Sequence, residues 1–119
     1  MNIKNKKLST IVINIFKNHK FNSKHANICS DAIINAELVG AHSHGLSRLK
    51  MYCDRIKKKL INPKPKIKVR KISQSITHID ANNCIGFVVA DLAIKTAIKN
   101  AKKTGIALVA VKNLSLIHI

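Results

Sequence analysis

A continuous apolar run, IALVAV at residues 106–111, follows directly on a glycine and constrains the fold more than any other stretch. The preceding residues, 87–103, have apolar side chains at helical spacing, and Thr104-Gly105 is a usual glycine stop after a helix. A short apolar run without alternation is typical of a strand buried on both faces, in a sheet covered by helices. The stripe of the preceding helix comprises Ala90, Ala93, Ile94, Ala97, Ile98 and Ala101.

The apolar residues in the first half of the chain recur at helical spacing. One amphipathic helix is predicted at about residues 7–19, and Asn22-Ser23 predicts the N-cap of a second helix. A third helix is predicted from His44 to the Asn62-Pro63 step, since proline pushes the preceding residue out of the helical region. The predicted apolar stripe of the second helix comprises Ala26, Cys29, Ile33, Ala36 and Gly40.

Two short extended runs follow, near residues 67–72 and 75–80, and the sequence Asp-Ala-Asn-Asn at 80–83 is a turn signal. Helices therefore come first and a strand–helix–strand order follows, so the predicted fold class is mixed α+β. The expected divisions are a helical segment at 1–62, the start of a sheet-containing domain at 63–113, and a separate tail at 114–119.

The stretch GAHSHGLSRLKMYCDRIKKK at 40–59 raises the question of function. On a continuous helix it would form an apolar stripe and, roughly 120° away, a second stripe that presents an imidazole, a guanidinium and a phenol together. Ser43 is predicted at the N-cap. The apolar stripe comprises Leu46, Leu49, Cys53, Ile56 and Leu60, and the second comprises His44, Arg48, Tyr52 and Arg55.

This second stripe suits a small acid with an adjacent carbonyl. Arg48 can bind the carboxylate with two hydrogen bonds, and His44 can exchange a proton with the carbonyl oxygen near neutral pH. The alternative is an ordinary solvated face of a basic helix. His42 and His44 diverge on a helix and have no carboxylate or cysteine close in sequence, so no metal site is predicted.

The formal net charge of +17 raises nucleic-acid binding as a rival function. Lysine outnumbers arginine 19 to 3 and aromatic residues are 3% of the chain, which disfavours base readout and base stacking. An A/T-rich genome that places lysine at surface positions explains the charge more simply. Three widely spaced cysteines indicate a reducing cytoplasm, and the lack of a long apolar run predicts no membrane span.

Residues 36–52, AELVGAHSHGLSRLKMY, resemble the type 2 malate/L-lactate dehydrogenase family, which lacks a Rossmann domain. The likeness continues in order along the chain. The further matching segments are Arg55-Ile56, INP at 61–63, DANNCIG at 80–86 and residues 97–113. The resemblance implies an oxidoreductase that transfers a hydride between NAD or NADP and a 2-hydroxy or 2-oxo acid of the malate, lactate, sulfolactate or ureidoglycolate type. It also implies a homodimer when full length.

The same resemblance implies roles for individual residues. His44 would be the proton donor to the substrate carbonyl, and Ser43 would orient it or share the proton relay. Arg48 and Tyr52 would hold the substrate. The main cofactor-binding segments would lie beyond Asn113, so this chain corresponds to roughly the first third of such an enzyme and is expected to be inactive and poorly folded alone.

The chain departs from the family pattern at several positions. Lys59-Leu60 and Ala81 replace usual glycines, and His42 replaces a frequent acidic residue. Leu114 and Leu116 stand where the family has the serine and histidine of a Ser-x-His-x-Gly motif.

The tail LSLIHI would be encoded by CTG TCT CTT ATA CAC ATC, which matches the end of a transposase-type sequencing adapter. Residues 114–119 are therefore expected to be non-native, with the natural frame continuing past Asn113. The rival hypotheses are a basic nucleic-acid-binding protein that ends at Ile119 and a degenerate protein with a structural role only.

Overall fold

The computed structural model describes residues 4–115 and confirms the mixed α+β class. The chain divides at the Lys64–Pro65 bond into two compact units, which are described separately. The elements are α1 (Asn5–Asn18), α2 (Ser23–Leu38), two 3₁₀ turns (His42–His44 and Leu46–Arg48), α3 (Leu49–Lys57), β1 (Lys68–Lys71), β2 (Ile76–Ile85), α4 (Gly86–Thr104) and β3 (Leu108–Ser115).

The first unit is helical and has an aromatic and aliphatic core. The predicted cap of α2 is confirmed, because the Asn22 side chain accepts a hydrogen bond from the His25 amide at 2.8 Å. Phe16 at the end of α1 and Phe21 in the next turn meet edge to face, with ring centroids 5.2 Å apart. The buried residues of this unit are Val12, Phe16, Phe21, Ala26, Cys29, Ser30, Ile33, Ile34, Tyr52, Ile56 and Ile61.

The predicted third helix is wrong at both ends. The backbone of Gly45 (φ −99°, ψ −131°) is not helical, so two 3₁₀ turns precede a helix that begins only at Leu49. The helix ends at Lys57 because Lys59 adopts a left-handed conformation (φ 60°), ahead of the proline-rich segment that was expected to end it. Ser43 consequently lies inside a 3₁₀ turn and does not cap a helix.

The second unit is a three-stranded sheet with one helix. β1 is antiparallel to β2, β3 is parallel to β2, and α4 connects β2 to β3 and packs on both. The predicted Gly105 stop is confirmed, with φ 82° at the C-cap of α4. The buried residues are Thr77, Ile79, Ala81, Cys84, Ile85, Val88 and Val89.

The predicted turn at 80–83 is a break within β2 and does not end that strand. Asn82 and Asn83 have left-handed backbone angles, and the register with β3 shifts between Asp80 and Cys84. Asp80 accepts a hydrogen bond from the Asn82 amide at 3.2 Å, an Asx-type contact that explains the turn signal in the sequence.

The expectation that β3 is buried on both faces is wrong for the described residues. β3 is an edge strand whose side chains alternate in exposure, and Leu108 is 57% exposed. The predicted apolar stripe of α4 is also exposed to solvent, with Ile94 61% exposed. The residues that this helix buries are Val88 and Val89, in its first turn. β3 continues through Leu114 to Ser115, and the rest of the expected tail lies outside the described residues.

No helix within residues 4–115 has both the length and the apolar character needed to cross a membrane.

Candidate active site

The end of α2 brings the chain back on itself. Gly40 has φ 79°, a left-handed angle that favours glycine, and the Ala41 amide donates to the Ala36 carbonyl at 2.8 Å. This reversal places His42 beside Glu37 on the last turn of the helix. The residues that follow, 42–48, form the segment called here the site turn.

The site turn is held together by its own hydrogen bonds. The His44 amide donates to the Ala41 carbonyl at 2.9 Å, and the Arg48 amide donates to the Gly45 carbonyl at 3.0 Å. The Ser47 hydroxyl donates to the His42 carbonyl at 2.7 Å. The turn is therefore a compact local structure in spite of its exposure.

The structure brings together three of the four predicted site residues within this turn. Ser43 Oγ lies 2.9 Å from His44 Nδ1, and Arg48 Nε donates to the Ser43 carbonyl at 2.7 Å. These bonds engage one nitrogen of the imidazole and one of the guanidinium. Nε2 of His44 and the two Nη atoms of Arg48 are the donors that these bonds leave for a ligand.

Tyr52, the fourth predicted residue, is not exposed beside the other three, although the helical stripe predicted that it would be. It is only 5% exposed on α3. Burial raises the pKa of its phenol, against a smaller lowering by the nearby Arg48 and alongside a small further rise from Cys29. The phenol therefore stays protonated at neutral pH.

Glu37 is a member of the site that sequence reasoning missed. Its carboxylate contacts His42 Nδ1 at 2.6 Å and accepts a hydrogen bond from the Leu46 amide at 2.8 Å. These two bonds, the one from His42 first, hold the pKa of Glu37 below its usual range. A signal was available, because a carboxylate in the last turn of a helix opposes the helix dipole and calls for a local partner.

This arrangement can bind a carboxylate and exchange a proton with an atom next to it. The paired Nη groups of a guanidinium match the two oxygens of a carboxylate. The Ser43 contact fixes the ring of His44, so that its other nitrogen can face a carbonyl or hydroxyl oxygen. The site turn is thus suited to a 2-oxo or 2-hydroxy acid.

Residues 4–115 contain neither a metal-binding cluster nor a Rossmann-type dinucleotide motif. Among residues 4–115 there is no group of three histidine, cysteine or carboxylate side chains that could hold a metal ion. The four glycines of the chain, at 40, 45, 86 and 105, lie too far apart for the G-x-G-x-x-G loop of Rossmann domains.

Comparison with known proteins gives a consistent result. The family model for malate/L-lactate dehydrogenase matches residues 3–119. The chain is 37% identical over 103 residues to the L-sulfolactate dehydrogenase of Methanocaldococcus jannaschii, a match that covers 87% of this chain and 30% of that protein. It is 44% identical over 88 residues to the malate dehydrogenase of Pyrococcus abyssi, covering 74% of this chain and 24% of that protein.

The fold agrees with these sequence matches. The solved structure of the sulfolactate dehydrogenase from Methanocaldococcus jannaschii superposes with a TM-score of 0.93 at 35% identity, over 97% of this chain and 33% of that chain. The present chain thus spans between a quarter and a third of the length of the relatives it matches. By sequence and by fold, the chain belongs to the malate/L-lactate dehydrogenase family.

Proposed function

We propose that this chain is the N-terminal part of an oxidoreductase that transfers a hydride between NAD or NADP and a small 2-hydroxy or 2-oxo acid. The substrate would be of the malate, lactate, sulfolactate or ureidoglycolate type. Membership of the family supports a dehydrogenase, and the observation that carries the proposal is the Ser43–His44–Arg48 arrangement. The 119 residues alone are proposed to be inactive.

The proton step follows from the geometry of the site turn. In the reducing direction, Arg48 binds the substrate carboxylate through its Nη groups, and the carbonyl oxygen faces His44 Nε2. As the carbonyl carbon gains a hydride, protonated His44 gives the Nε2 proton to the developing alkoxide and becomes neutral. Ser43 keeps the ring oriented throughout. Oxidation of the hydroxy acid runs the same transfer in reverse.

A nicotinamide cofactor would supply or accept the hydride. As the family resemblance implies, its binding residues are proposed to lie mostly beyond Asn113. Tyr52 is still proposed to help hold the substrate, although its side chain is buried.

The proposed setting is a reducing cytoplasm, which the three cysteines at 29, 53 and 84 support because none of them forms a disulfide. The full-length protein is proposed to be a homodimer that acts without nucleic acid or a membrane. Its 19 lysines are taken as a solvated surface.

The first experiment is to sequence the source DNA across the codons for residues 113–119. A frame that continues into Ser-x-His-x-Gly would support a longer dehydrogenase. A confirmed stop after Ile119 would favour the nucleic-acid-binding or degenerate protein instead. Turnover of NADH or NADPH by the purified 119-residue chain would contradict the proposal that it is inactive alone.

The roles of His44 and Arg48 are tested in a fusion that continues residues 1–113 with the remainder of the Methanocaldococcus jannaschii L-sulfolactate dehydrogenase. His44→Ala should lower kcat by about 100-fold or more, because the proton donor is lost. Arg48→Ala should mainly raise KM, since it removes substrate binding. His19→Ala, at the end of α1, is the control. Wild-type kinetics in the His44 variant would refute the proton-donor role.

A further inference from the structure

The carboxylate of Glu37 has no part in the proposed chemistry, yet both of its oxygens make hydrogen bonds to the site turn. Oε2 meets Nδ1 of His42, and Oε1 accepts from the amide of Leu46. His42 and Leu46 flank the two residues that orient each other, Ser43 and His44. One side chain on a regular helix therefore anchors both sides of the catalytic pair.

The path of the backbone at Gly45 shows how closely the turn fits this carboxylate. A Cβ built on Gly45 would lie 2.2 Å from Glu37 Oε1 and 2.7 Å from its Cδ, which is too close for any side chain. Glu37 thus occupies the space that a side chain at position 45 would fill. A side chain at position 45 would therefore require the Glu37 carboxylate to move, although φ at Gly45 is not in the left-handed region.

We propose that Glu37 is a positioning residue, which holds the site turn in the conformation that aims His44 Nε2 and the Arg48 Nη groups at the substrate. The inference rests on the proposed function, because the orientation matters to catalysis only if the site turn binds the acid. Glu37 itself touches neither substrate nor cofactor in this scheme; it acts through His42 and the Leu46 amide.

The link to the site is short. Arg48 is oriented by its bond to the Ser43 carbonyl, and the backbone between these two residues passes through Gly45 and Leu46. Without the Leu46 anchor, Gly45, which has no Cβ to restrain it, is held only by the remaining hydrogen bonds of the site turn. Rotation there would separate Ser43 from Arg48, and misplacement by about 1 Å is enough to cost about 100-fold in rate.

The first test measures local structure in the fusion enzyme and does not depend on activity. Glu37→Ala should raise the hydrogen-exchange rate of the Leu46 amide by about 10-fold or more, as expected when a bond to a charged acceptor is lost. Asp31→Ala, an exposed acidic position on the same helix, is the matched control and should leave that rate unchanged. Equal exchange in both variants, or an unprotected Leu46 amide in the unaltered fusion, would overturn the proposal.

A double-variant cycle tests the contact with Gly45. Gly45→Ala alone should perturb the site turn strongly, because the new Cβ meets the carboxylate. In the Glu37→Ala background the same substitution should have a smaller effect. Additive effects on the Leu46 exchange rate would show that Glu37 and Gly45 do not interact.

The last test separates positioning from general stability in the fusion enzyme. Glu37→Ala should lower kcat by about 10- to 100-fold, whereas Glu37→Gln, which keeps an oxygen for the Leu46 amide, should restore part of it. Unchanged kcat and KM in the Glu37→Ala enzyme would contradict a positioning role. An inactive unaltered fusion would refute the proposed function instead, and the exchange experiment would still report on Glu37.

Discussion

Lys59 illustrates a residue in a backbone conformation that its side chain does not favour. Its φ of 60° ends α3, and the Leu60 amide donates to the Arg55 carbonyl at 2.9 Å in the same reversal. A non-glycine residue in the left-handed region loses stability because its Cβ approaches the next carbonyl oxygen. This is the position where the sequence lacks the glycine expected from the family.

We predict that Lys59→Gly stabilises the protein by about 1 kcal/mol. Glycine releases the left-handed strain, and the greater conformational entropy of glycine in the unfolded chain offsets part of that gain. Chemical denaturation followed by circular dichroism measures this change. Lys58→Gly is the matched control, because its φ of −78° suits any residue, and it should be neutral or destabilising. Equal effects of the two substitutions would contradict the argument.

The carboxylate of Glu37 also predicts a pH dependence. Its pKa in the folded protein lies below its usual range, mainly because of the hydrogen bond from His42. Folding therefore favours the charged form, so the stabilisation is complete above the ordinary pKa of 4.5 and is lost as pH falls through the lower folded value.

We expect the protection factor of the Leu46 amide to decrease between pH 4.5 and the lower, folded-state pKa of Glu37. Hydrogen exchange followed by NMR across this range measures it. Glu37→Gln cannot titrate, so the decrease should be absent in that variant. A decrease of the same size in both proteins would assign the transition to another group.

At the scale of elements, β2 and β3 are joined by side chains as well as by their ladder. Asn113, with φ 54°, donates from Nδ2 to Asp80 Oδ1 at 3.0 Å, and Lys112 Nζ lies 3.7 Å from Asp80 Oδ2. The Asn113 bond is the main cause of the lowered pKa of Asp80, with the Asn82 amide next. This link lies at the point where the register shifts.

We predict that Asn113→Ala raises the exchange rate of the neighbouring β3 amides by about 3- to 10-fold, the effect of one lost hydrogen bond. Asn113→Gly separates the two possible causes, because glycine accepts the left-handed angle but lacks the amide side chain. Faster exchange in both variants supports the side-chain bond. Faster exchange in the alanine variant alone would assign the effect to backbone strain.

At the scale of the whole molecule, apolar surface is unevenly distributed. The helical unit exposes some large apolar side chains, such as Leu38 and Val39, but the sheet unit exposes more of them, on α4 and the edge strand β3 among other places in the part of the chain described. Its exposed large apolar residues include Ile94, Ile98, Ile106 and Leu108. Open edge strands and apolar faces promote association between chains.

We expect the 119-residue chain to associate through this surface at micromolar concentrations. Ile94→Ser combined with Ile98→Ser should reduce light scattering while changing the free energy of unfolding by no more than about 0.5 kcal/mol, because surface changes usually stay within that range. Val88→Ser, in the buried first turn of α4, is the destabilising control. Unchanged scattering in the double variant would place the association elsewhere.

Much of this protein follows from local rules that its sequence obeys. The Asn22 cap, the helices α1, α2 and α4, and the Gly105 stop depend on neighbours within a few residues, so periodicity and capping predict them. The motif at 43–48 likewise identified Ser43, His44 and Arg48 by resemblance, and the structure brings these three together.

The tertiary structure decided what depends on contacts across the fold. Gly45 breaks the expected helix, and its backbone lies against the Glu37 carboxylate, eight residues earlier in the chain. Tyr52 is buried because α3 starts at Leu49 and turns this face inward, and β3 lies at an edge because the described chain holds no further strand beyond it. Periodicity describes one element at a time, whereas burial and side-chain anchoring depend on which surfaces meet.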